Sequence, residues 1–188
     1  AEKLAKILHQ KRFKEGAIDF DNPEPRFVLD EKGTPIDVVV KKRIFAHRLI
    51  EECMLMANKT VALHIEELRK LSGKRKTKNL FPFFYRIHDK PDTEKLAAVA
   101  EQVAPFGIKF EVSDNMTPKK INNLLEQIKG KPVETIVNGL TLRAMAKAEY
   151  SPANIGHFGL GFPYYAHFTS PIRRYPDVIV HRLLKEYA

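Results

Sequence analysis

Residues 44–70 read IFAHRLIEECMLMANKTVALHIEELRK, the longest helical pattern in the chain and about 40 Å of continuous helix at a rise of roughly 1.5 Å per residue. Ala46, Ile50, Cys53, Met54, Ala57, Val61, Ile65 and Leu68 recur at three- and four-residue spacings along one face. Leu49, Met56 and Leu63 widen that stripe beyond half the circumference. A helix this apolar is the central element of its domain. On the stripe, Cys53 reads as packing and not as a nucleophile. His47, Glu51 and Asn58 follow one border of the stripe, where a polar row either looks into a cleft or forms an ordinary helix flank. Metal binding by His47 and Glu51 lacks a third ligand and a His-Glu-x-x-His pattern.

Outward from this helix the chain alternates helical and extended patterns. Before it, a helix is predicted over 2–15, closed by Gly16, then short strands over 17–20, 26–29 and 36–40. Asp21-Asn22-Pro23 and Asp30-Glu31-Lys32-Gly33 supply the turns. After it come a basic loop and a strand over 80–87 limited by Pro82. A helix over 92–104 and a strand over 108–112 follow. Two more helices are predicted, over 115–129 (Thr117 as cap, Pro118 first in the helix) and over 134–148. The fold class is therefore α+β, with mixed helices and short β-strands around a long central helix. A chain of 188 residues buries roughly 70% of its unfolded surface, enough for one core. Ala1 opens inside an apolar-periodic stretch and Ala188 ends a helical run with no stop residue, so a piece of a longer protein is expected.

Composition narrows the partner. Apolar residues are 44% and charged residues 29%, which excludes a disordered chain. No apolar run is long enough to span a bilayer, and a single cysteine excludes an internal disulfide, so a cytoplasmic setting is expected. Thirty-two Lys and Arg against twenty-three Asp and Glu leave +9. The cations cluster: Arg69, Lys70, Lys74, Arg75, Lys76 and Lys78; Lys41, Lys42 and Arg43; and Lys3, Lys6, Lys11, Arg12 and Lys14 on the first helix. Such clusters suit a phosphate backbone, and equally describe solvated loops and helix faces.

The densest chemistry lies between Gly156 and Asp177. Ser170 followed by Pro171 is a helix-start signal, which would put Arg173 and Arg174 in the first turn beside free backbone N–H groups. That arrangement suits a phosphate or a developing anion. Pro176 then predicts a kink. Upstream, Phe158, Phe162, Tyr164, Tyr165 and Phe168 either stack bases or pack the core. A glycine-rich phosphate loop, a dinucleotide fingerprint, zinc spacing and a crowd of aspartates fit for two metals are all missing from the sequence. From the residues alone, the reading stops at a nucleic-acid-binding domain.

A resemblance carries it further. His167-Phe168-Thr169-Ser170-Pro171-Ile172-Arg173-Arg174-Tyr175-Pro176-Asp177, followed by His181-Arg182, resembles the signature of the ribonuclease II / ribonuclease R family of exoribonucleases, most nearly its bacterial ribonuclease R branch. Ile50-Glu51-Glu52-Cys53-Met54-Leu55-Met56-Ala57-Asn58 is similar to that family's central-helix motif. Gly16-Ala17-Ile18-Asp19-Phe20 and Gly156-His157-Phe158-Gly159-Leu160 match further landmarks in order. The resemblance implies the later part of a ribonuclease II-type (RNB) catalytic domain over 1–188. It implies processive, metal-dependent 3′→5′ hydrolysis of single-stranded RNA to nucleoside 5′-monophosphates in the intact protein. Arg173 matches the catalytic arginine and Arg174 a supporting one. Phe20 matches an aromatic that clamps the terminal base, and Glu51 a contact to the terminal nucleotide. His167, Thr169, Ser170 and Tyr175 become candidate RNA contacts. The family's magnesium-binding aspartates match nothing in these 188 residues, so Mg²⁺ is expected in the intact enzyme and not on this chain alone. The expected partner is single-stranded RNA, not a membrane, with self-association of the isolated chain also expected. The rivals are a non-catalytic RNA-binding module that kept the fold without the metal site, and a plain interaction domain whose charge is incidental.

Overall fold

The computed structural model describes residues 1–18, 20, 25–40, 44–72 and 81–188, with the side chain of Ser72 excepted. In chain order these form α1 (Glu2–Lys14), β1 (Pro25–Leu29), β2 (Pro35–Val40), α2 (Phe45–Ser72), β3 (Tyr85–Ile87), α3 (Thr93–Val103), α4 (Pro118–Ile128), α5 (Glu134–Ala144), β4 (Glu149–Ser151) and α6 (Tyr175–Tyr187). The fold is the expected mixture of helices and few short strands about one long helix. Local chemistry explains the starts that the sequence located. Asp92 caps α3 by accepting from the backbone N–H groups of Glu94 and Lys95. The Thr117 hydroxyl accepts from Lys120 N ahead of Pro118 at the head of α4.

The strands form two antiparallel pairs. β1 and β2 make a hairpin with Arg26 opposite Val39 and Phe27 opposite Val38. The Asp30 carboxylate fixes the hairpin turn by accepting from Lys32 N and Thr34 N, and Gly33 takes the positive φ of 81° that the turn requires. β3 pairs with β4 in the register Tyr85–Ser151, Arg86–Tyr150 and Ile87–Glu149. Here the chain differs from expectation. The helical pattern over 134–148 stops at Ala144, where Met145 turns extended, and β4 takes up the free edge of β3. Residues 108–112 are not a strand. Ile108 is buried, and Phe110 and Val112 pack onto the same helices, so helix packing takes the alternation that the sequence offered to a ladder. The predicted strand 17–20 is also missing among its described residues; Ile18 instead donates its N–H to Gly159 O at 2.9 Å. Asp19, Asp21-Asn22-Pro23, Lys41-Lys42-Arg43 and the 74–78 cations lie outside the described residues.

Two cores result. Ala62 and Ile65 of α2 meet Phe83, Tyr85 and Ile87 around β3, Ala166, and Val180 of α6. Separately, α3, α4 and α5 pack around Val99, Val103, Leu124, Ile128 and Val137. His88 braces the segments between them: its Nε2 meets Ala146 O at 2.8 Å while Nδ1 accepts from Gly159 N at 2.9 Å. The second bond requires an unprotonated Nδ1, so the ring is the Nε2–H tautomer and donates to Ala146.

The buried side of α2 is not the predicted one in its first half. Glu52, Leu55 and Asn58 are buried, while Ile50 and Cys53 are exposed. Apolarity alone misplaces the face because two of its buried groups are polar and paired. Glu52 accepts from Arg12 Nη2 at 2.6 Å and meets His9 Nδ1 at 2.9 Å. Its carboxyl is held below the ordinary range: burial opposes this, and the Arg12 and His9 contacts outweigh it. Arg12 is thereby withdrawn from the supposed cationic face of α1, where Lys6 and Lys11 also pair with Glu2 and Glu15. Arg69 is likewise spent internally, on Phe81 O, Glu66 and the Tyr85 hydroxyl.

Candidate nucleic-acid interface

The His167–Asp177 signature is a loop clamped onto α2 and α6, not a helix start. Residues 170–173 form a tight turn in which Arg173 N and Arg174 N both bond to Ser170 O, at 3.2 and 3.1 Å. α6 begins only at Tyr175, with Arg174 as its extended cap residue and Pro176 in its first turn. The predicted start at Ser170-Pro171 and the predicted kink at Pro176 are both corrected. A helix begun at Pro171 would place Pro176 in its interior, without an N–H and with its ring against the carbonyl of Ile172. The later proline therefore opens the helix and the earlier one opens the turn.

Three side chains hold this loop. Asn58, fully buried on α2, accepts from Phe168 N at 2.9 Å and Thr169 N at 3.2 Å through Oδ1, and donates through Nδ2 to the Tyr165 hydroxyl at 3.1 Å. His181 of α6 stacks on Phe168 with ring centroids 4.1 Å apart and contacts its carbonyl oxygen at 2.9 Å. Asp177, also fully buried, accepts from Ser170 N at 2.7 Å and Arg174 Nη2 at 2.8 Å. The two arginines thus differ. Arg174 is anchored from within, whereas Arg173 is exposed on the turn and no carboxylate among the described residues pairs with it.

His167 completes the surface. Its Nδ1 lies 2.8 Å from the Tyr150 hydroxyl. Its pKa is pushed down to about 4, first by burial and then by the charges of Arg174, Arg86 and Arg173. Burial drives His157 down to about 3, with His88 and Arg86 adding to it, and also lowers His88. These three imidazoles stay neutral in the folded chain at pH values where the unfolded chain, near 6.5, protonates. The unfolded state then binds more protons, so stability falls as pH drops below about 6.5 and continues falling toward 4. Thermal unfolding followed by circular dichroism should show Tm dropping steadily over that window and flat above pH 7. A constant Tm from 6.5 to 4.5 would contradict neutral burial of these rings.

Other expected site residues are placed as follows. Thr169 has a buried hydroxyl with no partner among the described residues, as do Arg174 Nε and Asp177 Oδ1. Tyr175 is 70% exposed beside the arginines. Glu51 lies two helical turns before Asn58, with Oε1 3.7 Å from Arg12 Nη2. Phe20 packs near Ile18 and lines a cavity of about 520 Å³ with His88, Leu142, Arg143 and Lys147. No described contact joins Phe20 to the 170–174 turn. Of the aromatics offered as base platforms, Phe162 and Tyr165 are buried, and Phe158, Tyr164 and Phe168 pack against the cores; the packing alternative holds for all five. Sequence reading gave Asp177 no role, and it did not single out Arg86, Tyr150 or His88. For Arg86 and Tyr150 no sequence signal existed, because only the strand register joins them.

The described residues do not fit a metal. No group of three or more His, Cys, Asp or Glu stands close enough to hold an ion, and Asp177 is already engaged by an amide and a guanidinium. No described helix is long and apolar enough to cross a membrane.

Comparison with known proteins shows the family. The RNB domain family matches residues 1–188. Ribonuclease R of Aquifex aeolicus is 48% identical over 98% of this chain, and that of Thermotoga maritima 44% identical over all of it. The chain spans 25% of each of those relatives. A solved structure of Mycoplasma genitalium RNase R, in complex with ribose methylated single-stranded RNA, superimposes with a TM-score of 0.82 at 34% identity. It covers 97% of this chain and 27% of that one.

Proposed function

The chain belongs to the RNB domain family, and from that premise we propose that it forms the later part of the catalytic domain of a 3′→5′ exoribonuclease that degrades single-stranded RNA to nucleoside 5′-monophosphates. The observation that carries this reading is the exposed Arg173 on a turn fixed from beneath by Asn58 and Asp177. A guanidinium positioned before substrate arrives stabilises charge that builds on a phosphate during hydrolysis without waiting for the chain to reorganise. Arg174, tied to Asp177, holds the turn and lends its charge. The unpaired Thr169 hydroxyl supplies a donor at the same loop, and the exposed Tyr175 supplies a ring face. Phe20 and Glu51 act on the terminal nucleotide, in the roles their family positions imply.

A divalent metal such as Mg²⁺ belongs to this chemistry in the family. The described residues offer it no cage, so its carboxylates would come from the remainder of a protein about four times this length, as in the relatives. We assign the reaction to the cytoplasm, a reading supported by the single cysteine of the chain. The exposed apolar side chains of the β1–β2 hairpin, among them Phe27, Val28, Ile36 and Val38, are the support for self-association of the isolated 188 residues.

The test uses full-length protein and single-stranded RNA carrying a label at one end or the other. A 5′-labelled strand should shorten progressively, and a 3′-labelled strand should release a labelled mononucleotide at once. Salt-sensitive binding of both strands without shortening, in the presence of Mg²⁺, would show the non-catalytic RNA-binding module instead.

A further inference from the structure

We propose that Arg86 is a ligand for the RNA backbone, carried by the β3–β4 ladder beside the signature turn, so that the strand is held at a phosphate other than the one that Arg173 acts on. The inference rests on the RNA-processing reading above and adds to it a residue on a different element. Arg86 of β3 stands directly opposite Tyr150 of β4, with its guanidinium carbon 4.7 Å from the Tyr150 ring centroid. Its backbone N–H is bound to Tyr165 O at 2.9 Å, so the strand that carries it is tied to the segment leading into the signature. Tyr150 in turn reaches His167 Nδ1 at 2.8 Å and presents its ring edge-on to the His167 ring, with centroids 5.6 Å apart. Arg86, Tyr150 and His167 thus form a continuous row from the ladder to the loop that bears Arg173.

Charge accounting identifies the partner class. Around His167 the charges are Arg86, Arg173, Arg174 and Asp177. Asp177 compensates Arg174 at 2.8 Å, which leaves Arg86 and Arg173 without a described acid partner. Arg86 is partly buried, a position where a guanidinium usually finds a carboxylate, and this chain has 23 acidic residues to offer. Two guanidinium groups near one neutral imidazole, neither paired with an acid among the described residues, suit a ligand with repeating negative charge, which a single strand of RNA provides. Stacking on Tyr150 fixes the plane of the Arg86 group and lowers the entropy lost on binding.

The test measures binding of a fluorescein-labelled oligouridylate to the full-length protein by anisotropy across a KCl series. Arg86→Met keeps the aliphatic packing on Tyr150 and removes the charge. It should weaken binding by about tenfold at low salt and reduce the slope of log Kd against log salt by about 0.7, the value of one single-strand phosphate contact. Arg86→Lys should retain the slope. KM should rise for Arg86→Met while kcat stays within about twofold, the pattern of a binding contact. Unchanged affinity and slope in Arg86→Met, or equal loss in Arg86→Lys, would overturn the inference and leave Arg86 as packing for Tyr150. Should Arg86→Met fail to fold, phenylglyoxal modification of the wild-type protein decides: RNA should protect Arg86 from the reagent, and equal modification with and without RNA overturns the proposal. Failure of the wild-type protein to bind RNA would sink the exoribonuclease reading as well, whereas normal wild-type binding with an indifferent Arg86 sinks this inference alone.

Discussion

Arg173→Ala in the full-length protein is expected to lower kcat by about 10²–10³-fold while changing RNA affinity by less than about threefold. The reasoning begins with the turn. Arg173 N and Arg174 N share the Ser170 carbonyl, and Asp177 clamps Ser170 N, so the backbone under Arg173 is held whether or not its side chain is present. The exposed guanidinium contributes nothing described to the packing of the loop. Its removal therefore takes away charge stabilisation at the phosphate and leaves the fold intact, which an unchanged Tm would verify. Single-turnover cleavage measured beside equilibrium binding separates the two effects. Equal losses in rate and affinity would show Arg173 to be an ordinary backbone contact and would remove it from the chemistry.

Asn58→Leu should be damaging in a different way, through the support of the loop. Leucine matches asparagine roughly in size, so the change leaves little void. It leaves Phe168 N and Thr169 N without their acceptor and Tyr165 OH without the Nδ2 donor, all beneath the signature. Each buried donor left unsatisfied costs about 1–3 kcal/mol, so a loss of about 3–5 kcal/mol in unfolding free energy is expected. Activity should fall with it, because the Arg173 turn hangs from this point. Asn58→Asp keeps an acceptor for the two amides and should recover part of the stability. Chemical denaturation of wild type and both variants provides the measurement. A leucine variant within about 1 kcal/mol of wild type would mean that the loop is held elsewhere.

Asn58 also shows how far sequence reading goes. Its place on the central helix followed from periodicity, and the border position was correctly polar. The two alternatives there were a cleft and an ordinary flank; Asn58 is instead a buried anchor, because the loop that covers it arrives from more than a hundred residues away. The same limit governs Glu52 and Cys53. Apolar spacing favoured Cys53 as the inner residue, yet Arg12 of α1 approaches from the Glu52 side, and a paired carboxylate goes inward more readily than an unpaired thiol is needed there. At the signature, the local helix rule misjudged the backbone of the residues to which the resemblance points. Two proline starts competed five residues apart, and the fold accommodates only the second.

The sequence by itself determined the long central helix, the presence of α3, the capped start of α4, the two strands and turn of the β1–β2 hairpin, and the family to which the His167–Asp177 motif points. Each of these rests on contacts between residues close along the chain, or on an ordered set of motifs. Tertiary structure alone decided which arginine is anchored and which is open, that β3 pairs with β4, and that Arg86, Tyr150 and His167 form one row. Those outcomes depend on strand register and on buried hydrogen bonds between distant segments, whose energies are absent from any local stretch of residues.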